Sequence, residues 1–345
     1  MPSEIISAGG VSPGDDAPDA IDDLQQDGET RGLSVPAGLH GERLDRALAL
    51  LIPEFSRSYL QQQVTAQGVQ LNGRVASKAA ARVSAGDRLT VTLRPTAQAM
   101  AFVPQPMEIP VVYEDEDLLV IDKPAGLVVH PAAGNWSGTL LNGLLARHPE
   151  AAALPRAGIV HRLDKDTSGL MLVAKSRLAM DALVRAIADR SVRRQYLALA
   201  HGRWGGLAVQ DVDQPIGRDP RNRLRMAVLG EGQAGARAAR TTFCLLGQAQ
   251  DTAALACRLH TGRTHQIRVH LAWLGHPLLA DALYGGRAAH GMTRQALHAT
   301  RLELAHPVSG QPLRLDSRPP ADFCAAMQAL GLRYNEASSL CPGDS

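Results

Sequence analysis

The residues best suited to chemistry lie together between positions 158 and 170, in the segment GIVHRLDKDTSGL. Eight consecutive positions of this segment include two carboxylates, a guanidinium, an imidazole and two hydroxyls. Apolar residues flank the group on both sides, which predicts a loop between two buried strands, the second running from Leu170 to Ala174. Gly169 is expected to let the backbone turn into that strand. A rigid part of the fold would thus present the polar side chains, as is common at functional sites.

Residue types alone leave two interpretations of this cluster open. Asp164 and Asp166 stand two positions apart, a pattern that suggests a paired-carboxylate hydrolase. Alternatively, the charges cap one another and Thr167 and Ser168 form local side-chain turns, so that the loop is only structural. Because short motifs also match by chance, the rest of the chain must decide.

The elements that would position this loop are short strands and helices. Strands are predicted at 111–113, 118–121, 127–130 and 195–201, and helices at 139–147, from Ser176 onward, at 265–275 and at 323–330. The segment 195–201 alternates as a strand exposed on one face, so Tyr196 is expected to be a core aromatic or a stacking platform.

The helix at 265–275 has an unusual first turn. Thr264 is its expected N-cap, and Ile267 belongs to its buried stripe. Arg268 lies beside that stripe, near the helix N-terminus, where the macrodipole disfavours a cation. We therefore expect an anionic partner close to Arg268.

Charge is distributed unevenly along the chain. Residues 1–30 carry eight acidic and no basic side chains, so residues 31–345 hold 36 basic against 34 − 8 = 26 acidic groups, a balance of +10. Residues 1–33 lack helical or strand periodicity and are predicted to be a disordered acidic tail. A basic body favours a polyanionic partner, most commonly nucleic acid, although a solvated basic surface is the alternative.

Cysteine usage and hydropathy limit the class of protein. The four cysteines form no CxxC pair and are expected to be buried free thiols, and no metal cluster is predicted. No apolar run is long enough to span a membrane, and the N-terminus does not resemble a signal peptide. We therefore expect a cytoplasmic protein that does not bind a membrane.

A small module is predicted before the polar segment at 158–170. A helix with an apolar face follows Gly41, a second helix starts at the expected cap Ser56, and a hairpin turns at Asn72-Gly73. Residues 40–94 resemble the S4 RNA-binding domain, which would place Arg43, Arg46 and Arg57 near phosphates. Four prolines within 95–110 predict a linker to a larger second domain at 111–332, followed by a tail at 333–345.

Four segments in order make a more specific resemblance: DKPAGLVVHP (122–131), GIVHRLDKDTSGL (158–170), RRQYLALAHG (193–202) and GRTHQIRVHLAWLGHPLL (262–279). Behind an S4-like domain they resemble the RluA family of pseudouridine synthases over residues 40–330. The resemblance implies an α+β fold, in which a small S4-like α/β domain precedes a catalytic domain with a mixed, mostly antiparallel sheet flanked by helices.

The resemblance also implies roles for residues. Asp164 matches the catalytic aspartate, Arg268 the arginine that keeps it charged, and Tyr196 the tyrosine that stacks on the uracil. Ile267 would pack beneath the base, and Arg162 would fill the place that the flipped base leaves in the stack. His161 and Lys165 would lie near phosphates, and Asp166 would brace the loop. The family uses no cofactor, and none is expected here.

The expected substrate is a uridine in large-subunit ribosomal RNA or its precursor, most of all in the intersubunit stem-loop. The enzyme is expected to be a monomer. Two other classes of function remain at this level. A non-catalytic RNA-binding ribosome assembly factor would keep the basic surface without pairing Asp164 with Arg268. A glycosidase-like hydrolase would bring the carboxyls of Asp164 and Asp166 together.

Overall fold

The computed structural model describes residues 29–93, 97–132, 134–222, 224–230, 232–332 and 341. The chain divides into two compact units, residues 1–98 and 99–345. No helix among the described residues is long and apolar enough to cross a membrane.

The first unit is a four-stranded antiparallel sheet with two helices. Its elements are β1 (Glu29–Ser34), α1 (Leu44–Leu51), α2 (Arg57–Thr65), β2 (Val69–Leu71), β3 (Arg74–Val75) and β4 (Arg88–Leu93), with strand order β1-β4-β2-β3. The predicted cap is confirmed, because the Ser56 hydroxyl accepts a hydrogen bond from the Tyr59 amide at 3.3 Å. The Asn72-Gly73 hairpin also forms as predicted.

The predicted extent of the disordered tail is wrong at its C-terminal end. Residues 29–34 form β1, which pairs with β4 from Glu29 opposite Leu93 to Ser34 opposite Arg88. This strand completes the small sheet, and its charged and polar composition hid it from a search for apolar periodicity. The remainder of the predicted acidic tail, residues 1–28, lies outside the described residues.

The second unit is built on a nine-stranded mixed sheet. Its strands are β5 (Val111–Glu114), β6 (Leu118–Lys123), β7 (Ser168–Ala174), β8 (Arg193–His201), β9 (Val209–Asp213), β12 (Arg240–Ala249), β13 (Thr252–Leu259), β14 (Leu297–Ala305) and β15 (Pro312–Asp316). They are ordered β5-β6-β7-β14-β8-β13-β12-β9, with β15 also pairing β14. The contact of β7 with β14 is parallel and the other pairings are antiparallel, so the predicted fold class is confirmed. A two-stranded ribbon, β10 (Ile216–Arg218) and β11 (Met226–Val228), forms separately.

Helices cover both faces of this sheet. They are α3 (Leu140–Arg147), α4 (Arg177–Ala188), α5 (Gln266–Trp273) and α6 (Ala321–Ala329). One apolar core contains residues of α3 and α5, and separate clusters on the sheet contain residues of α4 and α6. The caps of α3 and α4 are Thr139 and Ser176, whose hydroxyls accept from the Asn142 and Ala179 amides.

Because the sheet is covered on both faces, one prediction about β8 is wrong. Every residue from Arg194 to Ala200 is buried, rather than one face being exposed. The strand lies between β14 and β13, which places Tyr196 opposite Cys257 on one side and Ala299 on the other. Tyr196 remains on the same face as Ala198 and Ala200.

Other local predictions also need correction. No strand forms at 127–130, and the segment before Asp164 contributes a single bridge, Ile159 to Val173, instead of a strand. The expected linker is partly structured, because Ala101 and Ile109 are buried and the Asn142 amide group donates to the carbonyl oxygen of Val103 at 2.8 Å.

The cysteines were predicted only in part. Cys257 is a buried free thiol, as expected, and Cys324 is free and partly buried. Cys244 and Cys341 instead form a disulfide, which joins β12 to a residue 97 positions later. The predicted C-terminal tail otherwise lies outside the described residues.

Candidate active site

The loop that precedes β7 carries Asp164 to a buried arginine. Arg268 Nη1 donates to Asp164 Oδ2 at 2.9 Å, although the two residues are 104 positions apart. The side chains are 7% and 17% exposed, so this ion pair lies largely out of water but reaches the surface of a cavity. The anionic partner expected beside Arg268 is therefore present, and it is the aspartate named by the sequence.

The bidentate partner of Arg268 is a different carboxylate. Arg268 Nε and Nη2 donate to the two oxygens of Asp281 at 2.7 and 2.9 Å, and the Asp281 side chain is 1% exposed. Arg268 thus presents only Nη1 to Asp164. Burial acts to lower the pKa of Arg268, but the hydrogen bond to Asp281 and the charges of both aspartates outweigh it and raise that pKa.

Two aromatic side chains fix the start of α5 around this arginine. The helix begins after His265 rather than Thr264, and His265 has a left-handed backbone with φ 57°. The Tyr284 hydroxyl lies 2.8 Å from His265 Nδ1, and the Arg268 guanidinium lies 5.0 Å from the centre of the Tyr284 ring. His265 Nε2 is also 3.8 Å from Asp164 Oδ1, so the turn and the helix converge on the same carboxylate.

A buried lysine holds the loop from the other side. Lys123 ends β6 and is fully buried, and its ammonium donates to the carbonyl oxygens of Pro124, Leu127 and Lys165 at 2.7 to 3.0 Å. Burial lowers the pKa of Lys123 to about 8, against the opposing charges of Asp166 and Asp164. This lysine therefore fixes the backbone immediately after Asp164.

The hydroxyls of the loop also contact distant residues, which argues against a self-contained turn. Thr167 Oγ1 accepts from the Gln295 amide at 3.0 Å, and Ser168 Oγ lies 3.0 Å from His298 Nδ1. Gly169 has φ +112°, and a Cβ there would lie 2.2 Å from the Ala299 carbonyl oxygen. A glycine is required at this position because β7 approaches β14 closely.

Asp164 and Arg268 line a cavity of about 380 Å³. Tyr196 and Ile267 line it too and are 5% and 3% exposed, so the cavity combines one carboxylate with an apolar, aromatic wall. Burial raises the pKa of Tyr196, opposed by the charge of Arg194 and reinforced by that of Asp164, so the neutral phenol dominates near pH 7. The cavity can take a flat, uncharged ring.

The remaining predicted residues of the loop separate into two groups. The exposed Arg162 lines the cavity, whereas Lys165 is exposed and does not line it. His161 lines the cavity but is turned inward, because its Nε2 accepts the Leu172 amide at 2.9 Å. Burial, with the nearby charge of Arg194, lowers the pKa of His161 to about 3, so it is uncharged near neutral pH, and its place near a phosphate stays a prediction.

In the first unit, a buried aspartate organises the predicted RNA-binding arginines. Asp45 is fully buried and accepts from Arg43 at 3.1 Å, from Arg57 at 2.8 Å and from the Gln61 amide at 2.6 Å. These hydrogen bonds, that from Arg43 above all, lower the pKa of Asp45 against the effect of burial. The Arg46 side chain lies 3.5 Å from Glu42 and is 59% exposed. Arg43 and Arg57 thus have a structural role, which the sequence did not suggest.

Sequence reasoning missed Asp281 and Lys123 as parts of the site. Lys123 stood within a recognised segment, DKPAG, but a buried ammonium that binds three carbonyls leaves no periodic signal. Asp281 falls just beyond the last recognised segment, 13 residues after Arg268. Its buried position became evident only from the path of the chain after α5.

Two protein families match this chain. The profile of the family described as RNA pseudouridylate synthase matches residues 117–273, and the S4 domain profile matches residues 42–89. The ribosomal large subunit pseudouridine synthase D of Neisseria meningitidis serogroup B is 46% identical over 322 residues, which cover 90% of this chain and 84% of that protein. The chain belongs to the RNA pseudouridylate synthase family. It is accordingly an isomerase, as the sequence predicted.

Two further members of the pseudouridylate synthase family extend the comparison. The protein of the same name from Xanthomonas campestris pv. campestris is 46% identical over 319 residues, covering 88% of this chain and 93% of that protein. The solved structure of human RNA Pseudouridylate Synthase Domain Containing 4 is 23% identical, with a TM-score of 0.52, and covers 65% of this chain and 94% of that chain. That structure supports the fold of the catalytic unit.

Proposed function

We propose that this enzyme converts uridine to pseudouridine in large-subunit ribosomal RNA, with Asp164 as its catalytic residue. The observation that carries the proposal is the 2.9 Å ion pair between Asp164 and Arg268 at the wall of a cavity also lined by Tyr196 and Ile267. The relatives named as large-subunit synthases over most of the chain support the class of RNA.

The chemistry requires one carboxylate that reaches the sugar. The bond between N1 of uracil and C1′ of ribose breaks, the base turns, and a bond forms from C5 to C1′. The C5 proton then leaves while N1 takes up a proton, so the product is an isomer of uridine. Breaking the first bond makes C1′ electron-poor, as in glycoside hydrolysis, so Asp164 either attacks C1′ or removes the neighbouring C2′ proton. Arg268 holds the carboxylate in place through Nη1, because its other donors are fixed on Asp281.

Tyr196 and Ile267 would contact the uracil in the cavity. The raised pKa of Tyr196 leaves little phenolate near neutral pH to accept a proton, which favours stacking on the ring over removal of the C5 proton. The buried Ile267 would pack beneath the ring. Together they would hold the base while it turns.

A uridine within folded RNA must leave its stack to reach Asp164, at a cost of about a few kcal/mol. Arg162 is exposed, two positions before Asp164, and lines the mouth of the same cavity. Its planar cation would occupy the vacated position between neighbouring bases. The S4 unit would bind structured RNA through Arg43, Arg46 and Arg57, and the target would lie in the intersubunit stem-loop.

The two rival classes fit the geometry less well. A ribosome assembly factor without activity has no use for a carboxylate held by a buried arginine beside a cavity. A paired-carboxylate hydrolase needs two carboxyls facing one ligand, but Asp166 does not line the cavity and Asp281 is taken up by Arg268.

The deciding experiment compares Asp164→Asn with Asp166→Asn. In cells that lack this chain, large-subunit RNA is mapped for pseudouridine after complementation with each variant. We expect Asp164→Asn to abolish pseudouridine formation, because the amide cannot act as the carboxylate does. RNA affinity should stay within about twofold, because the side chain at 164 keeps its shape. Asp166→Asn makes the same chemical change two positions away and should keep activity. Activity in the Asp164 variant equal to wild type would refute the proposal.

A further inference from the structure

Arg194 is a buried cation without a counter-ion. It is 6% exposed, its Nε has no hydrogen-bond partner, and no hydrogen bond or ion pair joins its guanidinium to any residue that the structure describes. A buried charge ordinarily costs several kcal/mol unless a partner satisfies it, so such an arginine requires an explanation.

The position of Arg194 directs it into the active-site cavity. It lies two residues before Tyr196 on β8, so both side chains project from the same face of the sheet, and both line the cavity. The turn after β13 leaves room for it, because a Cβ on Gly262 would stand 2.8 Å from Arg194 Nη1. A glycine at 262 therefore lets the guanidinium lie at the cavity wall.

The surroundings of Arg194 favour an anionic group there, next to the part of the cavity that suits an uncharged ring. Three more arginines line the cavity, namely Arg162, Arg190 and Arg263. The one carboxylate in its described lining is Asp164, which already binds Arg268. His161 is uncharged beside Arg194. The lining thus has an excess of positive charge, and of its two most buried arginines, Arg194 and Arg268, only Arg268 has a carboxylate partner among the described residues.

We propose that Arg194 binds a phosphate that flanks the flipped uridine. A phosphodiester is the permanent anion closest to any nucleotide that enters this cavity, and a guanidinium can bind two of its oxygens. This inference rests on the proposed function. Arg194 would be a binding residue that fixes how far the nucleotide enters, while Asp164 acts on the sugar.

The test uses an RNA stem-loop containing the uridine that the wild-type enzyme modifies, with a neutral methylphosphonate at either the 5′ or the 3′ linkage of that uridine. Arg194→Met should weaken binding about tenfold to a hundredfold, as expected for a hydrogen bond to a charged group. The slope of log Kd against log salt concentration should decrease by about 1. One of the two neutral linkages should reduce wild-type affinity to that of the variant and leave the variant unaffected.

Two further variants separate this role from a loss of folding. Gly262→Ala keeps the charge but places a Cβ 2.8 Å from Nη1, which forces the guanidinium to shift, so binding should weaken with the same linkage dependence. Arg314→Met removes an exposed arginine on β15 outside the cavity and should change affinity less than about twofold.

The outcomes separate the two proposals. If wild type still binds the RNA more tightly than Arg194→Met whichever of the two neutral linkages is in place, the phosphate site is wrong. It is also wrong if Arg194→Met lowers the rate at saturating enzyme but leaves the RNA affinity unchanged. The binding measurements need no turnover. If the wild-type chain forms no pseudouridine, the same linkages placed in the large-subunit stem-loop that it binds still report on Arg194.

Discussion

Arg268 joins two carboxylates that have different tasks. Asp281 takes two of its donors in a buried, bidentate pair, and Asp164 receives the third at the cavity. A guanidinium held by one carboxylate cannot rotate freely, so the hydrogen bond to the other keeps its direction. The orientation of Asp164 therefore depends on a residue that is 1% exposed and does not line the cavity.

We expect Asp281→Asn to lower the rate of pseudouridine formation on the order of tenfold to a hundredfold, because the amide nitrogen faces the guanidinium and Arg268 loses its fixed direction. The unfolding free energy should also fall, by roughly 3 kcal/mol, since a buried charge loses its partner. RNA affinity should stay within about twofold. Single-turnover rates per folded molecule, measured with a parallel binding assay, test this.

Asp281→Glu is the companion variant, because it keeps the charge and should recover part of the rate. If rate and RNA affinity fell in parallel in the asparagine variant, Asp281 would act on the RNA-binding surface as a whole. The proposed effect on the Asp164 carboxylate would then be wrong.

His161 connects the catalytic loop to β7, and its titration gives a pH signature. Burial lowers its pKa to about 3 in the folded chain, while the unfolded chain keeps a value near 6.5. Between these values the unfolded chain binds a proton that the folded chain does not, so the stability present above about pH 6.5 is lost as the pH falls toward 3.

His161→Gln should reduce this acid sensitivity, because glutamine does not titrate and its carbonyl can still accept from Leu172. Urea unfolding at pH 7, 6, 5 and 4 measures the free energy for both chains. The difference between wild type and variant should change steadily across that window. A difference that is constant with pH would show that His161 contributes no such linkage.

Elements whose signals are local were predicted well. As predicted, the hydroxyls of Ser56 and Ser176 cap their helices through amides three residues ahead, so sequence spacing contains the required information. The helix predicted from residue 139 starts one residue later, with Thr139 as its cap. The burial of β8 on both faces could not be predicted from local spacing. Its exposure depends on helices and strands distant in sequence that cover the sheet, and small residues such as Ala198 suit either environment.

The candidate site shows the same division between local and distant information. Asp164, Arg268, Tyr196 and Ile267 came from recognised segments, and these four line one cavity. Asp281, Lys123 and the inward orientation of His161 depend on the path of the chain between segments. The Lys123 ammonium binds three backbone carbonyls, and this contact cannot be predicted from residue types because every residue has a carbonyl.

At the scale of the whole molecule, an excess of basic residues favours a polyanionic partner such as RNA. Residues 31–345 carry a balance of +10, from 36 basic and 34 − 8 = 26 acidic groups. Basic groups that contact phosphates release counter-ions, so affinity for RNA should fall steeply with salt. Arg43 and Arg57 are poor probes of this effect, because replacing either would also strip Asp45 of a hydrogen-bond donor.

Arg46 is the better probe of the S4 unit, since it is 59% exposed and its contact with Glu42 is long, at 3.5 Å. Arg46→Met should weaken RNA binding uniformly across sequences and reduce the slope of log Kd against log salt by about 1. The rate at saturating enzyme and the unfolding free energy should not change, because a surface ion pair contributes little. Lys78→Met, an exposed cation of the same unit outside the helical pair, is the control. Equal slopes for Arg46→Met and wild type would place the RNA on another face of this unit.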